Sequence, residues 1–459
     1  MIGMVRTRLT HEVRHCTLTS PKWGALRMRR IDQKGLRAPA RVLDLELAPV
    51  DQVGDDPLAV EQYNTMWCLS RIDGVPQEIS FWDVTEDASV SIRGLRDRLR
   101  TGRTTNDRIS PGPPPPRTAS LNATVVICTR DRPVGLRATL ASLERQTDSN
   151  FGVLVVDNGP SSPESATVVE ELGLPRCEYL VEPRPGLARA RNRALGAVRT
   201  DLVAWIDDDE VADPDWVRRL KEGFAHKANP AAVCGVMLPA ELEFEAQVRF
   251  EQYGGFNKGR GMAPEVLRMG TSSLISPLYP LPAFGPGGNM AFQTESLRSV
   301  EGFDPCLGAG TRTHGCEETR VLSLLLSSGH AVLHWPAAIT WHTHRREMAA
   351  LRKQIYGYSA GLSAFYVSMI RSRPTAAFDV LRLAPYALRD LKRGSGNLRS
   401  GQLPDDFPAH LLKAARRGLL EGGFMYAYEA IRDRRQSVPV AQEGALSGDL
   451  ADRRRGPRA

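Results

Sequence analysis

Residues 202–210 read LVAWIDDDE. Five mostly apolar residues in succession are the signature of a buried strand, and this one ends abruptly in three carboxylates. Asp207, Asp208 and Asp209 repel one another, so the cluster calls for a neutralising positive charge. Along an extended segment Asp207 and Asp209 face one side while Asp208 faces the other. Two hard carboxylate oxygens at a strand end suit Mg²⁺ or Mn²⁺ holding a phosphate. The alternative is a solvated acidic turn before a helix, with Asp213 as N-cap and Pro214 at the first helical position.

The flanking sequence decides what kind of sheet that strand joins. Upstream, ATVVIC (123–128) is a buried strand, followed by the polar loop 129–133 and by Leu136, Leu140 and Leu143 at helical spacing. FGVLVV (151–156) is a second strand ending in Asp157-Asn158-Gly159, residues 177–181 form a third, and GLARARNRALGAV (186–198) is a basic helix. Strand and helix alternate, as in a doubly wound α/β sheet, where ligands bind off the carboxyl ends of the strands. Thr129, Arg132, Asp157 and Asp207–Asp209 are therefore expected along one edge. Asp157 reads either as a turn former or as a base or ribose contact. Arg191, with Asn192 beside it, reads either as a solvated helix face or as a diphosphate contact near the helix start after Gly186.

Downstream, LPAFGPGGNMAF (281–292) offers Gly288 and Asn289 for close approach and hydrogen bonding to a ligand, with a plain glycine-rich turn as the alternative. Residues 302–315 form a glycine-rich segment, expected to be mobile, that delivers Glu317-Glu318 to the start of an apolar helix. Two acids there complement a helix dipole, and in a cleft one is placed to act as a general base. AAITWHTHRR (337–346) puts His342 and His344 on one side of an extended segment. Together with His314 and Cys316 they match no standard zinc spacing.

The chain of 459 residues has room for two or three domains; its 42% hydrophobic and 25% charged residues are those of an ordinary soluble protein. A net charge of +7 suits anionic partners of several kinds. The basic residues are not interleaved with aromatics, which argues against nucleic acid. Seven scattered cysteines without a CxxC pair, and an N-terminus without an apolar core, read as a cytoplasmic protein. Residues 1–105 are expected as a small α+β domain with a hairpin at Asp73-Gly74, and residues 106–120, with four consecutive prolines, as a stiff linker. Residues 121–350 follow as the α/β domain. Residues 351–431 read as a helical extension whose Tyr356, Tyr358, Leu362, Phe365 and Tyr366 are either core or a surface for a hydrophobic acceptor. A disordered tail is expected over 432–459.

With these pieces placed, VVICTRDRP, VVDNGP, GLARARNRAL, AWIDDDEVADPDW, FEQYGGFNKG, GPGGNMAF, GFDPCLGAGT and WHTHRR occur in the order found in family-2 glycosyltransferases of the GT-A fold, and the chain resembles a bacterial, actinobacterial-type subgroup. The resemblance covers about 125–360. It implies a GT-A domain, a Rossmann-like doubly wound mixed sheet, that transfers a sugar with inversion from a nucleotide diphosphate to a hydroxyl. Thr129, Arg132, Asp157, Arg191, Asn192, Asp207, Asp208, Gly288 and Asn289 would bind the donor, for which a UDP-sugar is expected. Asp207, Asp209 and His342 would hold Mg²⁺ or Mn²⁺. Glu318 would be the base, with Glu317 supporting it, where the family has Glu-Asp. A catalytically degenerate nucleotide-sugar-binding protein is the alternative. Peripheral contact of the C-terminal helices with the inner face of the membrane is a further expectation.

Overall fold

Strands that are apolar on both faces must be covered on both sides. A computed structural model describes residues 29–47, 57–58, 62–84, 90–101, 121–258, 260–270, 276–279, 284–393 and 403–437. The linker expected at 106–120 lies outside them, as does the expected tail beyond 437.

The N-terminal unit comprises β1 (Arg29–Ile31), β2 (Ala40–Glu46), β3 (Pro57–Leu58), β4 (Thr65–Ile72), β5 (Val75–Asp83), β6 (Val90–Ser91) and α1 (Ile92–Thr101). Four of these form a sheet in the order β1-β5-β4-β2, while β3 pairs with β6. Asp73 and Gly74 both take positive φ at the β4–β5 hairpin, as a tight primed turn requires. Nearly all of β4 is buried, because the sheet has two covers. Met66 and Cys68 pack under Leu95 and Leu99 of α1 on one face. Trp67 and Leu69 on the other face pack against the second unit.

That second unit runs β7 (Ala123–Thr129), α2 (Pro133–Glu144), β8 (Phe151–Asn158), α3 (Glu164–Leu172), β9 (Cys177–Glu182), α4 (Leu187–Ala197), β10 (Leu202–Asp207), β11 (Glu210–Ala212), α5 (Trp216–Phe224), β12 (Ala232–Pro239), α6 (Glu245–Gln252), β13 (Glu265–Leu267), β14 (Met290–Gln293), α7 (Thr294–Ser299), α8 (Glu317–Ser327) and β15 (Val332–His342). Its strands lie in the order β11-β15-β12-β14-β10-β7-β8-β9, with β13 also on β15. The run β10-β7-β8-β9 is parallel, and β14 enters antiparallel between β10 and β12. This is the mixed α/β sheet expected. Alternation divides the core: Val126, Val203, Trp205 and Phe292 lie on one face, Val125, Ala204, Ile206 and Ala291 on the other. Chain order reverses between β7 and β10, and a crevice opens beyond the carboxyl ends at such a switch point.

Helices α9 (Met348–Ser372), α10 (Ala376–Arg393) and α11 (Ala409–Ser437) follow. The last continues six residues past the point where the tail is expected. Among the described residues no helix is long and apolar enough to cross a membrane.

Candidate active site

Register brings the strand-end residues together. Thr129 lies opposite Asp157, and Asp207 opposite Cys128. β10 ends at Asp207, however, and Asp208 and Asp209 form a turn into β11. The alternation expected along an extended segment therefore does not hold. Asp208 accepts from Thr129 Oγ1 at 2.8 Å and from Arg132 Nη1 at 3.0 Å, while Asp209 accepts from the same Nη1 at 2.9 Å. Asp207 turns toward Arg191, 3.6 Å away. Burial pushes Asp207 up to about 6 against the pull of Arg191. Against the same cost, His342, Arg132 and Arg345 hold Asp209 far below the usual carboxylate range. Asp157 is buried and accepts from the Tyr179 hydroxyl at 2.7 Å, and among the described residues its Oδ1 has no hydrogen-bond partner.

A cavity of about 500 Å³ opens at the carboxyl end of β10, lined there by Arg191, Asp207, Gly287, Gly288, Glu317 and Glu318. Arg191 is fully buried and donates to Glu317 Oε1 at 2.9 Å and to the Gly287 carbonyl at 3.0 Å. Burial and the adjacent Glu318 push Glu317 up to about 8, against Arg191. Glu318 is only half-buried and accepts from the Thr319 hydroxyl at 3.3 Å. The turn that presents both acids carries His314 and Cys316 in the left-handed region at φ 67° and 68°, a strained arrangement of the kind found at functional sites. At Gly288 a Cβ would lie 1.8 Å from Glu210 Oε1 and 2.6 Å from Asp207 Oδ2, so no larger residue fits without displacing both acids. Lys258 also lines the cavity, its ammonium 5.3 Å from the Tyr358 ring; burial lowers it to about 8.

His342 closes the other side of the acidic turn. Its Nδ1 meets His344 Nδ1 at 2.9 Å, and His344 Nε2 meets Glu251 Oε1 at 3.1 Å. Glu251 requires a proton on His344 Nε2, and burial keeps that imidazole neutral by lowering its pKa. His344 Nδ1 is then the acceptor, so His342 donates from Nδ1 and presents Nε2 to Asp209 Oδ1 at 3.7 Å. An imidazole nitrogen and a carboxylate oxygen side by side are donor chemistry that fits a divalent ion with open positions. Among the described residues no group of three His, Cys, Asp or Glu side chains forms a metal cluster.

Several expected residues have other work. Asn289 does not face the cavity. It is fully buried, its Nδ2 donates to the carbonyls of Val236 and Ala338, and its Oδ1 accepts from Trp216 Nε1 at 2.9 Å. Both Nδ2 protons and one Oδ1 lone pair are taken by the core. Asn192 is tied to the Phe303 backbone through both amide atoms. The helix start after Gly186 is covered, with the Leu187 amide donating to the Ala309 carbonyl. The segment expected to be mobile is anchored: Asp304 accepts from Ser368 and Tyr426, and the Arg312 amide donates to Glu429. α5 begins at Trp216 with Asp215 as its N-cap, two residues after the expected Asp213, which Arg71 engages at 2.8 Å.

Two contributors, Glu251 and Glu210, are not singled out by the sequence, which offers His344 only beside His342. Glu251 and His344 complete the relay behind His342. Glu210, opposite His342 in the β11–β15 register, is buried beside Asp207, and burial with that neighbour pushes its carboxyl well above the usual range. A fourth acid directly after three aspartates was the available signal.

Residues 124–300 match the family model described as glycosyl transferase family 2. Over 255 residues the chain is 28% identical to the pre-mycofactocin glycosyltransferase of Mycobacterium tuberculosis, covering 54% of this chain and 48% of that one. Over 199 residues it is 24% identical to the glucosyl-dolichyl phosphate glucuronosyltransferase of Haloferax volcanii, covering 41% and 58%. The chain thus spans about half the length of these curated relatives. Among solved structures, the Pyrobaculum calidifontis mannosyltransferase PcManGT in complex with GDP-Man and Mn²⁺ aligns with 16% identity and a TM-score of 0.41, over 69% of this chain and 75% of that one.

Proposed function

We propose, from the match of residues 124–300 to the glycosyl transferase family 2 model, that the chain transfers a sugar, with inversion and divalent-cation dependence, from a nucleotide diphosphate to a hydroxyl acceptor. The observation that carries the reading is the convergence of Asp207, Arg191, Glu317 and Glu318 on one cavity beside the Asp209–His342 pair.

In this reading the acceptor oxygen attacks the anomeric carbon as the bond from that carbon to the diphosphate oxygen breaks. The hydroxyl proton passes to the Glu318 carboxylate, and the bonding electrons leave with the diphosphate. Of the two acids that line the cavity, Glu318 suits the base because it is only half-buried, whereas Glu317 is buried and held by Arg191. Arg191, fixed by Glu317 and the Gly287 carbonyl, bears a positive charge toward the leaving group. Asp207, Asp209 and His342 would hold Mg²⁺ or Mn²⁺, which offsets the diphosphate charge when bound. Thr129 and Arg132 act through Asp208 and Asp209, which they orient, and Asp157 keeps one buried oxygen for the nucleoside.

The test is a melting-temperature series with UDP, GDP, dTDP and CDP and their sugar conjugates, with and without Mn²⁺, beginning with UDP-sugars. A ligand at about a hundredfold its Kd adds roughly 2.7 kcal/mol of stability. A Mn²⁺-dependent rise with one nucleotide is expected. Glu318→Gln should keep that rise and lose about 10²–10⁴-fold in transfer or in slow donor hydrolysis. Full activity in Glu318→Gln would remove the base assignment. A rise without any turnover in the unmodified chain would favour the degenerate binding protein instead.

A further inference from the structure

Beyond Glu318 the cavity changes character. Its polar end gives way to a wall of Tyr253, Phe256, Tyr279, Phe284, Leu362 and Tyr366, closed by Leu412, Ala415 and Leu419 of α11. Three of those residues are tyrosines, and Lys258 and Ser359 also line the cavity, so a polar head group finds partners there, while the aromatic faces and aliphatic side chains favour a hydrocarbon chain over water. The wall also has an exit. Arg416 and Leu419 form part of the lining, and from the next position an exposed stripe runs along α11 through Leu420, Phe424, Tyr428 and Ile431. Their spacing of four, four and three residues keeps them on one helix face. Leu420 and Phe424 are 76% and 83% exposed, where an isolated soluble helix would carry polar groups. Arg416 and Arg417 precede the stripe, and Arg434 and Arg435 follow it. Apolar residues flanked by arginine are the pattern of a helix that rests on an anionic lipid surface.

Resting on the transferase reading above, we infer that the acceptor is a lipid: its hydroxyl-bearing head group sits at Glu318, and its hydrocarbon chain lies along the aromatic wall and leaves at the α11 stripe toward the bilayer. Glu318 lines the same cavity as the aromatic side chains, and Leu420, the first residue of the exposed stripe, lies one helical turn after the lining residue Arg416. A compact acceptor would fill the cavity and leave the stripe without a use.

The full chain is tested with two probes: a fluorescent farnesyl phosphate for the cavity, and vesicles of phosphatidylcholine with and without phosphatidylglycerol for the stripe. Farnesyl phosphate should bind, inorganic phosphate should not displace it, and Leu362→Asp should weaken it by about tenfold or more. Tyr366→Ala is the second cavity variant, in case Leu362→Asp does not fold. Leu420→Ser with Phe424→Ser should reduce sedimentation with phosphatidylglycerol vesicles by a similar factor while leaving the nucleotide-dependent rise in melting temperature unchanged. Absence of farnesyl phosphate binding, or binding that neither cavity variant weakens, overturns the inference. Displacement by inorganic phosphate alone overturns it too, since only the head group would then be recognised. The nucleotide series separates the two readings: a chain that responds to a nucleotide sugar but not to the lipid probe loses this inference alone, and one that responds to no nucleotide loses the transferase reading first.

Discussion

Glu317 and Glu318 are adjacent in sequence and opposite in circumstance. Glu317 is buried against Arg191, while Glu318 borders the cavity. Because burial raises the folded-state pKa of Glu317 from 4.5 to about 8, its contribution to stability is fully present below pH 4.5 and is lost as the pH rises to about 8. Denaturant unfolding of the natural chain and of Glu317→Gln should therefore show a stability difference that moves steadily in favour of the variant between pH 4.5 and 8. A difference constant across that window would mean that Glu317 is as ionised in the folded chain as in the unfolded one. His344 offers a second test at this scale. It holds the His342 proton on Nδ1, so His344→Leu should lower Mn²⁺ affinity in the presence of nucleotide by about 10- to 100-fold, read by electron paramagnetic resonance of free Mn²⁺. Unchanged affinity would detach His344 from the cation.

Glycines set the distance between elements in the C-terminal extension. Gly418 and Gly422 of α11 lie one turn apart and face the backbone of α9, where a Cβ would come within 2.3 Å of the Tyr356 carbonyl oxygen and 2.0 Å of the Ala360 carbonyl oxygen respectively. Backbone cannot rotate aside as a side chain can, so Gly422→Ala should cost about 1–3 kcal/mol by overpacking, measured by denaturant unfolding. A neutral effect would mean that α11 slides freely on α9, and the cavity wall it closes would have no fixed shape. These glycines also mark the boundary of what sequence can express. The strands β7, β8 and β10 were readable because an apolar run with a polar end is a local pattern. The meeting of α11 with α9, and of Glu210 with His342, depends on residues far apart in the chain. Asn289 shows the same limit in reverse. An asparagine after two glycines has the composition of a ligand contact, and only the packing of Trp216 and the Val236 and Ala338 carbonyls around it reveals a core residue. Where three aspartates end a strand, composition predicted the charge cluster, but the turn at Asp208 decided which way each one faces.

At the scale of the whole molecule, the site is held from two sides by parts of the chain outside residues 124–300. α9 and α11 anchor the segment before Glu317 through Ser368, Tyr426 and Glu429. From the other side, the N-terminal sheet drives Trp67 and Leu69 against Val236, Leu238, Ile339 and Trp341, on the strands that carry His342 and its neighbours. Its Arg71 reaches across to Asp213, three residues past Glu210, while also holding Asp44 at 2.6 Å. Both side chains of the Arg71–Asp213 pair are nearly inaccessible, so removing the cation strands a buried carboxylate. Breaking such a pair costs about 3–5 kcal/mol. Arg71→Ala should therefore lower the melting temperature of the full chain. Because β11 begins at Glu210, directly after the acidic turn, the variant should also lower nucleotide affinity measured at a temperature where it is still folded. Arg71→Met, which restores bulk without charge, should recover little of either. If Arg71→Ala melted earlier but bound nucleotide as tightly as the natural chain, the N-terminal sheet would be support for the fold alone; loss of both ties it to the geometry of the acidic turn, 136 residues away from Arg71 at Asp207.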